Sequence, residues 1–147
     1  MAEIAAYVFG SNTSRTFKSS SQIVSSIIKT TSLDITVRLL QSVDDVQKEK
    51  NLPIHCKKYI LLYPVTYRTM CGTTKLWLEK HGESLKGKEV IAVGFGGSDR
   101  SANAFESDFV AIMSGIGAIY NRRNTMVVSE EDTYRAIEEI IKFGETQ

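Results

Sequence analysis

The sequence predicts a single α/β domain in which parallel strands alternate with helices and form three layers. Short apolar runs are separated by segments whose apolar side chains recur at helical spacing. Most of the runs lack polar alternation, which is typical of strands buried on both faces of a parallel sheet. Because strands and helices alternate, right-handed crossovers are expected to place helices on both sides of the sheet.

The first half of the chain contains three predicted strands. Residues 4–9 form a nearly all-apolar run that ends at Gly10, and residues 35–40 form a β-branched run. The segment between them has apolar residues at helical spacing and predicts the first helix. Residues 59–63 form the third apolar run, and Pro64 is expected to end that strand.

The second half contains two further strands and three helices. A short helix is predicted over residues 72–81, followed by a strand at residues 89–93. One apolar stripe between residues 105 and 116 predicts the best-defined helix of the chain. The fifth strand is predicted at residues 118–120, with residues 126–128 as its continuation or its rival. The buried face of the last helix is predicted to comprise Tyr134, Ile137, Ile140 and Ile141.

Composition and charge disfavour several classes of partner. The chain has 18 Lys and Arg against 17 Asp and Glu, so its net charge of +1 gives no broad attraction to nucleic acid or an anionic membrane. No apolar run approaches the roughly 20 residues of a spanning helix, and Glu3 stands where a secretory signal carries basic residues. Cys56 and Cys71 form neither a disulfide framework nor a zinc-binding pattern. We therefore expect a cytoplasmic protein in a reducing compartment.

A hydroxyl-rich loop after the first strand is the first candidate site. Residues 11–16 read Ser-Asn-Thr-Ser-Arg-Thr and directly precede a predicted helix. Free backbone amides at a helix start, together with hydroxyl donors, favour a monophosphate. No Asp or Glu occurs between Glu3 and Asp34, so no local acid would repel an anion. A loop of this composition is also common as a simple turn and helix cap, so by itself it is weakly specific.

Two further loops leave the carboxyl ends of predicted strands, where open parallel sheets bind ligands. They are residues 64–72 and residues 94–99, and three glycines in the second allow a flat ligand to approach the backbone. With residues 11–16, they fit a mononucleotide lying across the strand ends. The Walker pattern is absent. Residues 94–99 also have no glycine at the third glycine position of the GxGxxG pattern that binds dinucleotides. The first and third strands also end without the clustered acids of a phosphate-accepting receiver domain.

In combination these motifs resemble those of flavodoxins and of the NAD(P)H-dependent FMN reductase family. Residues 10–16 are similar to the flavodoxin phosphate loop, with Ser14 where those proteins usually carry glycine. The resemblance extends from about Ile4 to Phe143. The features similar in order and spacing to the reductases are Pro64, Gly72, Lys75, Gly87, Lys88, Gly96 and Gly97.

The resemblance implies one flavodoxin-like, FMN-binding domain over residues 1–147, with a doubly wound sheet of five parallel strands in the order 2-1-3-4-5. It implies neither a catalytic residue nor a metal, because the flavin performs the redox chemistry and the protein positions it. The residues implied to hold the phosphate are Ser11, Thr13, Ser14, Arg15 and Thr16. Those implied to contact the isoalloxazine ring are Pro64, Val65, Thr66, Tyr67, Arg68, Thr69, Met70 and Cys71, and across from them Phe95, Gly96, Gly97 and Ser98.

The implied activity is that of an FMN or quinone reductase that takes hydride from NADH or NADPH. The near-neutral charge and Lys75 favour this reading, whereas the hydroxyl-rich first loop favours a flavodoxin-type electron carrier. A flavin-free interaction module of the same fold is a third alternative. Thr66, Arg68 and Cys71 depart from the reductase pattern, chiefly on the side that would face the nicotinamide. Proteins of this type are often dimers, so a homodimer is a further expectation.

Three other side chains are placed by pattern alone. Cys71 is expected at a helix start beside the ring, where a redox role competes with simple packing. Trp77 is expected in the core, and His81 at an exposed helix end.

Overall fold

Helices and strands alternate along the chain, as the sequence predicts. The computed structural model describes residues 3–10, 15–49, 52, 56–66, 69–96, 99–120, 125–128 and 133–145. The strands are β1 (Ile4–Phe9), β2 (Ile35–Leu40), β3 (Lys58–Thr66), β4 (Thr69–Met70), β5 (Glu89–Phe95) and β6 (Thr125–Val128). The helices are α1 (Arg15–Thr30), α2 (Val43–Lys48), α3 (Gly72–His81), α4 (Asp99–Ile116) and α5 (Tyr134–Glu145), with a 3-10 turn at Gly82–Leu85 after α3.

The central sheet has the strand order β2-β1-β3-β5-β6, and all of these neighbours pair in parallel. This is the predicted order 2-1-3-4-5, because the two-residue β4 pairs only with the end of β3, in antiparallel fashion. The chain passes from β1 to β2 on one side and then to β3, β5 and β6 on the other. The strand order therefore reverses between β1 and β3, which opens a crevice at their carboxyl ends.

Each face of the sheet carries its own apolar core. On one face, α1 and α5 contribute Ile27 and Ile140. On the other face, α2, α3 and α4 contribute Val46, Trp77 and Phe109. Trp77 is fully buried, as predicted. Among the described helices, none combines the length and the apolar character needed to cross a membrane.

The third strand is longer than predicted, because β3 continues through Pro64 instead of ending before it. Pairing with β1 ends at Leu62, whereas pairing with β5 continues to Pro64, opposite Phe95. Beyond Leu62 one edge of β3 is free, and such a strand tolerates proline because the missing N–H can face the free edge. The chain then turns back into β4. The pairs in this hairpin are Val65 with Met70 and Thr66 with Thr69.

The fifth parallel strand is β6 rather than residues 118–120. Ile119 makes only an isolated bridge to Glu89 and is 53% exposed. Placing Tyr134 on the buried face of α5 was also wrong, since that side chain is 70% exposed. The prediction is confirmed for Ile140, which is buried with Ala136 and Phe143, and Ile137 and Ile141 are partly buried against the same core.

The short helix α2 is attached to the domain largely by polar contacts. The Ser42 hydroxyl caps its first turn by accepting from the Asp45 N–H, and Val46 is its buried residue. At its other end, Lys80 Nζ donates to the Val46 and Gln47 carbonyls at 2.9 and 2.8 Å. These carbonyls lie at a helix C-terminus, where a cation is favoured. The position of α2 therefore depends on α3.

The end of α3 is buried, contrary to the expectation for His81. This histidine is 3% exposed, and its ring lies 5.5 Å from that of Trp77, one helical turn earlier. The helical pattern alone marks His81 as the last residue of a helix. Whether such a position meets solvent depends on what packs over it, and here Glu49, the residue that follows α2, provides a backbone hydrogen bond to the imidazole.

Truncation of a core aromatic tests this packing. Phe109 is fully buried and lies edge-on to Tyr120, with 5.8 Å between ring centroids. We expect Phe109→Ala to lower the free energy of unfolding by about 3–5 kcal/mol, because it leaves a cavity. The matched control, Tyr134→Ala, removes an exposed ring and should change it by less than about 0.5 kcal/mol. Urea denaturation measures both values, and equal effects would contradict the assigned packing of α4 and α5.

Candidate functional site

Three strand ends lie together at the carboxyl edge of the sheet, beside the reversal of strand order. β1 ends at Phe9, β3 leads into the hairpin with β4, and β5 ends at Phe95. Pro64 lies opposite Phe95 in the β3–β5 register, so the carboxyl ends of these two strands are neighbours. The edge therefore brings together the strand ends from which the three predicted site loops begin.

Two glycines at this edge adopt backbone conformations that other residues rarely adopt. Gly10 follows β1 with φ of 122°, and Gly96 follows β5 with φ of 101°. The Gly10 N–H donates to the Leu40 carbonyl at 3.2 Å, which fixes the direction in which the chain leaves β1. Because neither residue has a side chain, the backbone at both strand ends is open to a flat ligand.

Helix α1 presents its N-terminus at the same edge. It begins at Arg15, shortly after β1, and its first turn contains no acidic residue. The first N–H groups of a helix lack partners within the helix and favour an anion. The backbone of Arg15 and Thr16 therefore lies in the first turn of a helix without acidic residues. Ser11, Thr13 and Ser14 lie outside the described residues, so their phosphate contacts stay predictions.

Helix α3 presents a second N-terminus, next to the β3–β4 hairpin. Cys71 is its N-cap residue, but its side chain does not cap the helix. Instead the Cys71 Sγ lies 3.2 Å from Oγ1 of Thr74, a side chain that is fully buried. The first turn of α3 also lacks acidic residues. Two acid-free helix N-termini are thus directed toward one edge of the sheet.

Tyr63 is a buried group of this region that is not among the predicted site residues. It immediately precedes Pro64, and its side chain is fully buried. Burial, followed by the nearby charges of Asp108 and Cys71, raises the pKa of its phenol well above the ordinary value. Tyr63 therefore stays protonated and neutral near pH 7. A tyrosine within an aliphatic strand, directly before a proline, was the signal that could have marked it.

The residues predicted to contact the ring differ in exposure and in whether the structure describes their side chains. Pro64, Val65, Cys71 and Gly96 are partly exposed at the edge. The Phe95 side chain is 1% exposed and packs in the core under α1 and α5, so only its backbone can line the site. Thr66, Thr69 and Met70 are described by their backbone alone, within the hairpin. Tyr67, Arg68, Gly97 and Ser98 lie outside the described residues.

The described part of the chain holds no cluster of three or more His, Cys, Asp or Glu side chains that could bind a metal ion.

Comparison with known proteins establishes the fold. No protein-family model and no curated protein sequence matches this chain. An NADPH-quinone reductase from P. pentosaceus has a similar structure, with a TM-score of 0.70 and 18% identity over 100% of this chain and 99% of that one. The apo form of an NADH:FMN oxidoreductase is similar with a TM-score of 0.73 and 16% identity, over 97% of this chain and 88% of that one. Flavodoxin 1 from Bacillus cereus is similar with a TM-score of 0.65 and 15% identity, over 95% of this chain and 97% of that one. The chain therefore has a flavodoxin-like fold.

The backbone at the end of β1 can be tested by adding one methyl group. Gly10→Ala forces an L side chain into the left-handed region, which should cost about 1–3 kcal/mol of unfolding free energy. Gly115→Ala is the control, because the added Cβ meets nothing within 4 Å and α4 is helical there. That change should stabilise the protein by about 0.5–1 kcal/mol. Urea denaturation of both variants checks the opposite signs, and a neutral Gly10→Ala would contradict the described turn.

Proposed function

We propose that this protein binds FMN across the carboxyl ends of β1, β3 and β5 and acts as an oxidoreductase. The observation that carries the proposal is the convergence of two acid-free helix N-termini and the β3–β4 hairpin at the reversal of strand order. A crevice at such a reversal is where doubly wound sheets bind ligands. The two chemically different ends of FMN, an anionic phosphate and a flat ring, match different parts of this edge.

The phosphate is assigned to the loop and helix start after β1. The backbone amides at the start of α1 provide donors, and Arg15, the first residue of the helix, adds a positive charge. The hydroxyl residues Ser11, Thr13, Ser14 and Thr16 supply further donors. With the glycine turn at Gly10, the main chain would wrap around the phosphate without a side chain in the way.

The isoalloxazine ring is assigned to the space between the β3–β4 hairpin and the end of β5. Pro64 and Val65 would contact one side of it, and the backbone of Phe95 and Gly96 the other. When bound, FMN supplies hydride and electron transfer, and the chain supplies position and electrostatics. The N-terminus of α3 favours negative charge beside Cys71, so it would stabilise an anionic form of the ring.

Among redox roles, we propose an NAD(P)H-dependent FMN or quinone reductase. Two of the similar solved structures are an NADPH-quinone reductase and an NADH:FMN oxidoreductase. The net charge of +1 gives no overall repulsion toward an anionic nicotinamide donor. A flavodoxin-type carrier is the second candidate, supported by the hydroxyl-rich loop at residues 11–16 and by the likeness to a flavodoxin. A flavin-free module is the third.

Charge reversal at the proposed phosphate loop tests the binding mode. The double variant Thr13→Glu, Ser14→Glu should raise the Kd for FMN at least about a hundredfold, or about 2.7 kcal/mol, because two acids would face the phosphate. Ser25→Glu with Ser26→Glu is the matched control, since it adds the same charge to α1 away from its N-terminus. The affinity for riboflavin, which lacks the phosphate, should fall far less in the same Thr13, Ser14 variant. Quenching of flavin fluorescence measures all of these values.

Two results would contradict this assignment. Unchanged FMN affinity in the Thr13, Ser14 variant would place the phosphate elsewhere on the protein. An equal loss of FMN affinity in the Ser25, Ser26 control would mean that net charge alone, and not the position of the acids, weakens binding. Wild-type protein that neither quenches nor shifts the spectrum of FMN would remove both redox candidates and leave the flavin-free module.

Anaerobic addition of NADH or NADPH to the FMN complex separates the reductase from the carrier. In a reductase, the visible absorbance of the bound flavin should bleach faster than that of free FMN, because the donor transfers hydride to the ring. Free FMN at the same concentration is the control for uncatalysed reduction. Flavin that is bound but stays oxidised with both nicotinamides would contradict the reductase assignment and support the carrier.

A further inference from the structure

A second cluster of polar groups lies inside the core, where α2 and α3 pack over β1. It comprises Tyr7, Glu49, Trp77 and His81. Tyr7 and Trp77 are fully buried, and His81 is 3% exposed. The rings are in contact, with centroids 4.6 Å apart for Tyr7 and Trp77 and 5.5 Å apart for Trp77 and His81. None of these residues belongs to the proposed flavin site.

The polar atoms of this cluster are poorly satisfied. Tyr7 Oη, Trp77 Nε1, His81 Nε2 and Glu49 Oε1 are buried without a hydrogen-bond partner among the described residues. The carboxylate of Glu49 is partly compensated by Arg38, whose Nε lies 3.8 Å from it. A buried polar group without a partner loses its hydration and gains no hydrogen bond in return. The seam between α2 and α3 is therefore held less firmly than an apolar core of the same size.

His81 is the member of the cluster whose charge changes near neutral pH. Burial lowers the pKa of its imidazole below the ordinary 6.5, and the neighbouring Lys80 lowers it further. Glu49 acts in the opposite direction, through its carboxylate and through a backbone hydrogen bond. Tyr7 does not compete for the proton, because burial, followed by the charge of Glu49, raises the pKa of its phenol well above the ordinary value. His81 is therefore neutral at pH 7.

Lys80 connects this histidine to α2. Its ammonium donates to the carbonyls of Val46 and Gln47 and so holds the C-terminus of a helix only six residues long. A charge on His81 would place a second cation next to Lys80, on a ring that is itself 3% exposed. Release of α2 would relieve both the repulsion and the loss of hydration, since the imidazolium would then meet solvent.

We propose that His81 is a proton-controlled latch, whose protonation detaches α2 from α3. The neutral imidazole favours the attached state. The attachment is at full strength above about pH 6.5 and weakens as the pH falls through that value toward the lower pKa of the buried ring. Detachment would expose Val46 and Trp77. The proposal stands apart from flavin binding, because its residues lie in the α2–α3 seam and its test needs no ligand.

The test uses two readouts on the ligand-free protein, at about pH 7.5 and about pH 5.5. Trp77 is the sole tryptophan, so its emission reports on the cluster alone. Hydrogen exchange, corrected for its intrinsic pH dependence, reports on the backbone of α2 and, for comparison, on α5. At the lower pH we expect a red shift in emission and at least about a tenfold loss of protection in α2, with α5 unchanged.

Variants at the two histidines provide the controls. His81→Gln should keep α2 protected at both pH values, because glutamine takes up no proton. His55→Gln changes the other histidine of the chain and should leave the transition intact. If His81→Gln does not fold, His81→Phe keeps a ring against Trp77 and serves the same comparison.

Three outcomes would overturn the latch. The first is a pH-dependent emission of Trp77 with constant protection of α2, which would mean that His81 titrates inside a closed core. The second is equal loss of protection in α2 and α5, which would indicate general acid unfolding. The third is a His81→Gln protein that opens like the wild type.

Discussion

The burial of β1 on both faces and between two parallel neighbours is the constraint on which the rest of the structure depends. All six of its residues are buried, and it pairs with β2 on one side and β3 on the other. A strand in this position must have helices over both faces, so α1 and α5 cover one side while α2, α3 and α4 cover the other. Since later strands add only beyond β3, the reversal beside β1 and the crevice at its end follow directly.

The two ends of the sheet are built differently, and this division separates the candidate site from the structural contacts. At the carboxyl end, glycine turns and helix N-termini leave backbone groups available. Toward the amino end, lysines satisfy the C-terminal carbonyls of helices. Lys58 donates to the Phe143 carbonyl at 2.7 Å, and Lys80 holds the end of α2. One end can thus accept an anionic ligand while lysines secure the other, and the proposed latch acts through one of these lysine contacts.

Local pattern predicted the elements whose side chains all meet the same environment. The strand at residues 4–9 is confirmed because a doubly buried strand needs apolar residues at every position. Pattern was wrong where a neighbour decides. Pro64 lies within β3 because the β1 ladder has already ended at Leu62. His81 is buried at the end of α3, where Glu49 bonds to its ring, and the fifth parallel strand lies at Thr125–Val128 because that segment forms a ladder with β5, whereas Ile119 makes only an isolated bridge.

By itself, the sequence determined the alternation of elements, the hydroxyl-rich and glycine-rich segments after the strands, and the absence of acids between Glu3 and Asp34. These are properties of composition and spacing, and they sufficed to point to a phosphate and a flat ring. Only the tertiary structure decided which segments share an edge, that the chain folds back after Pro64 as a hairpin, and that the Phe95 side chain turns away into the core. Such features depend on strand register and on packing between residues distant in sequence, which no local pattern encodes.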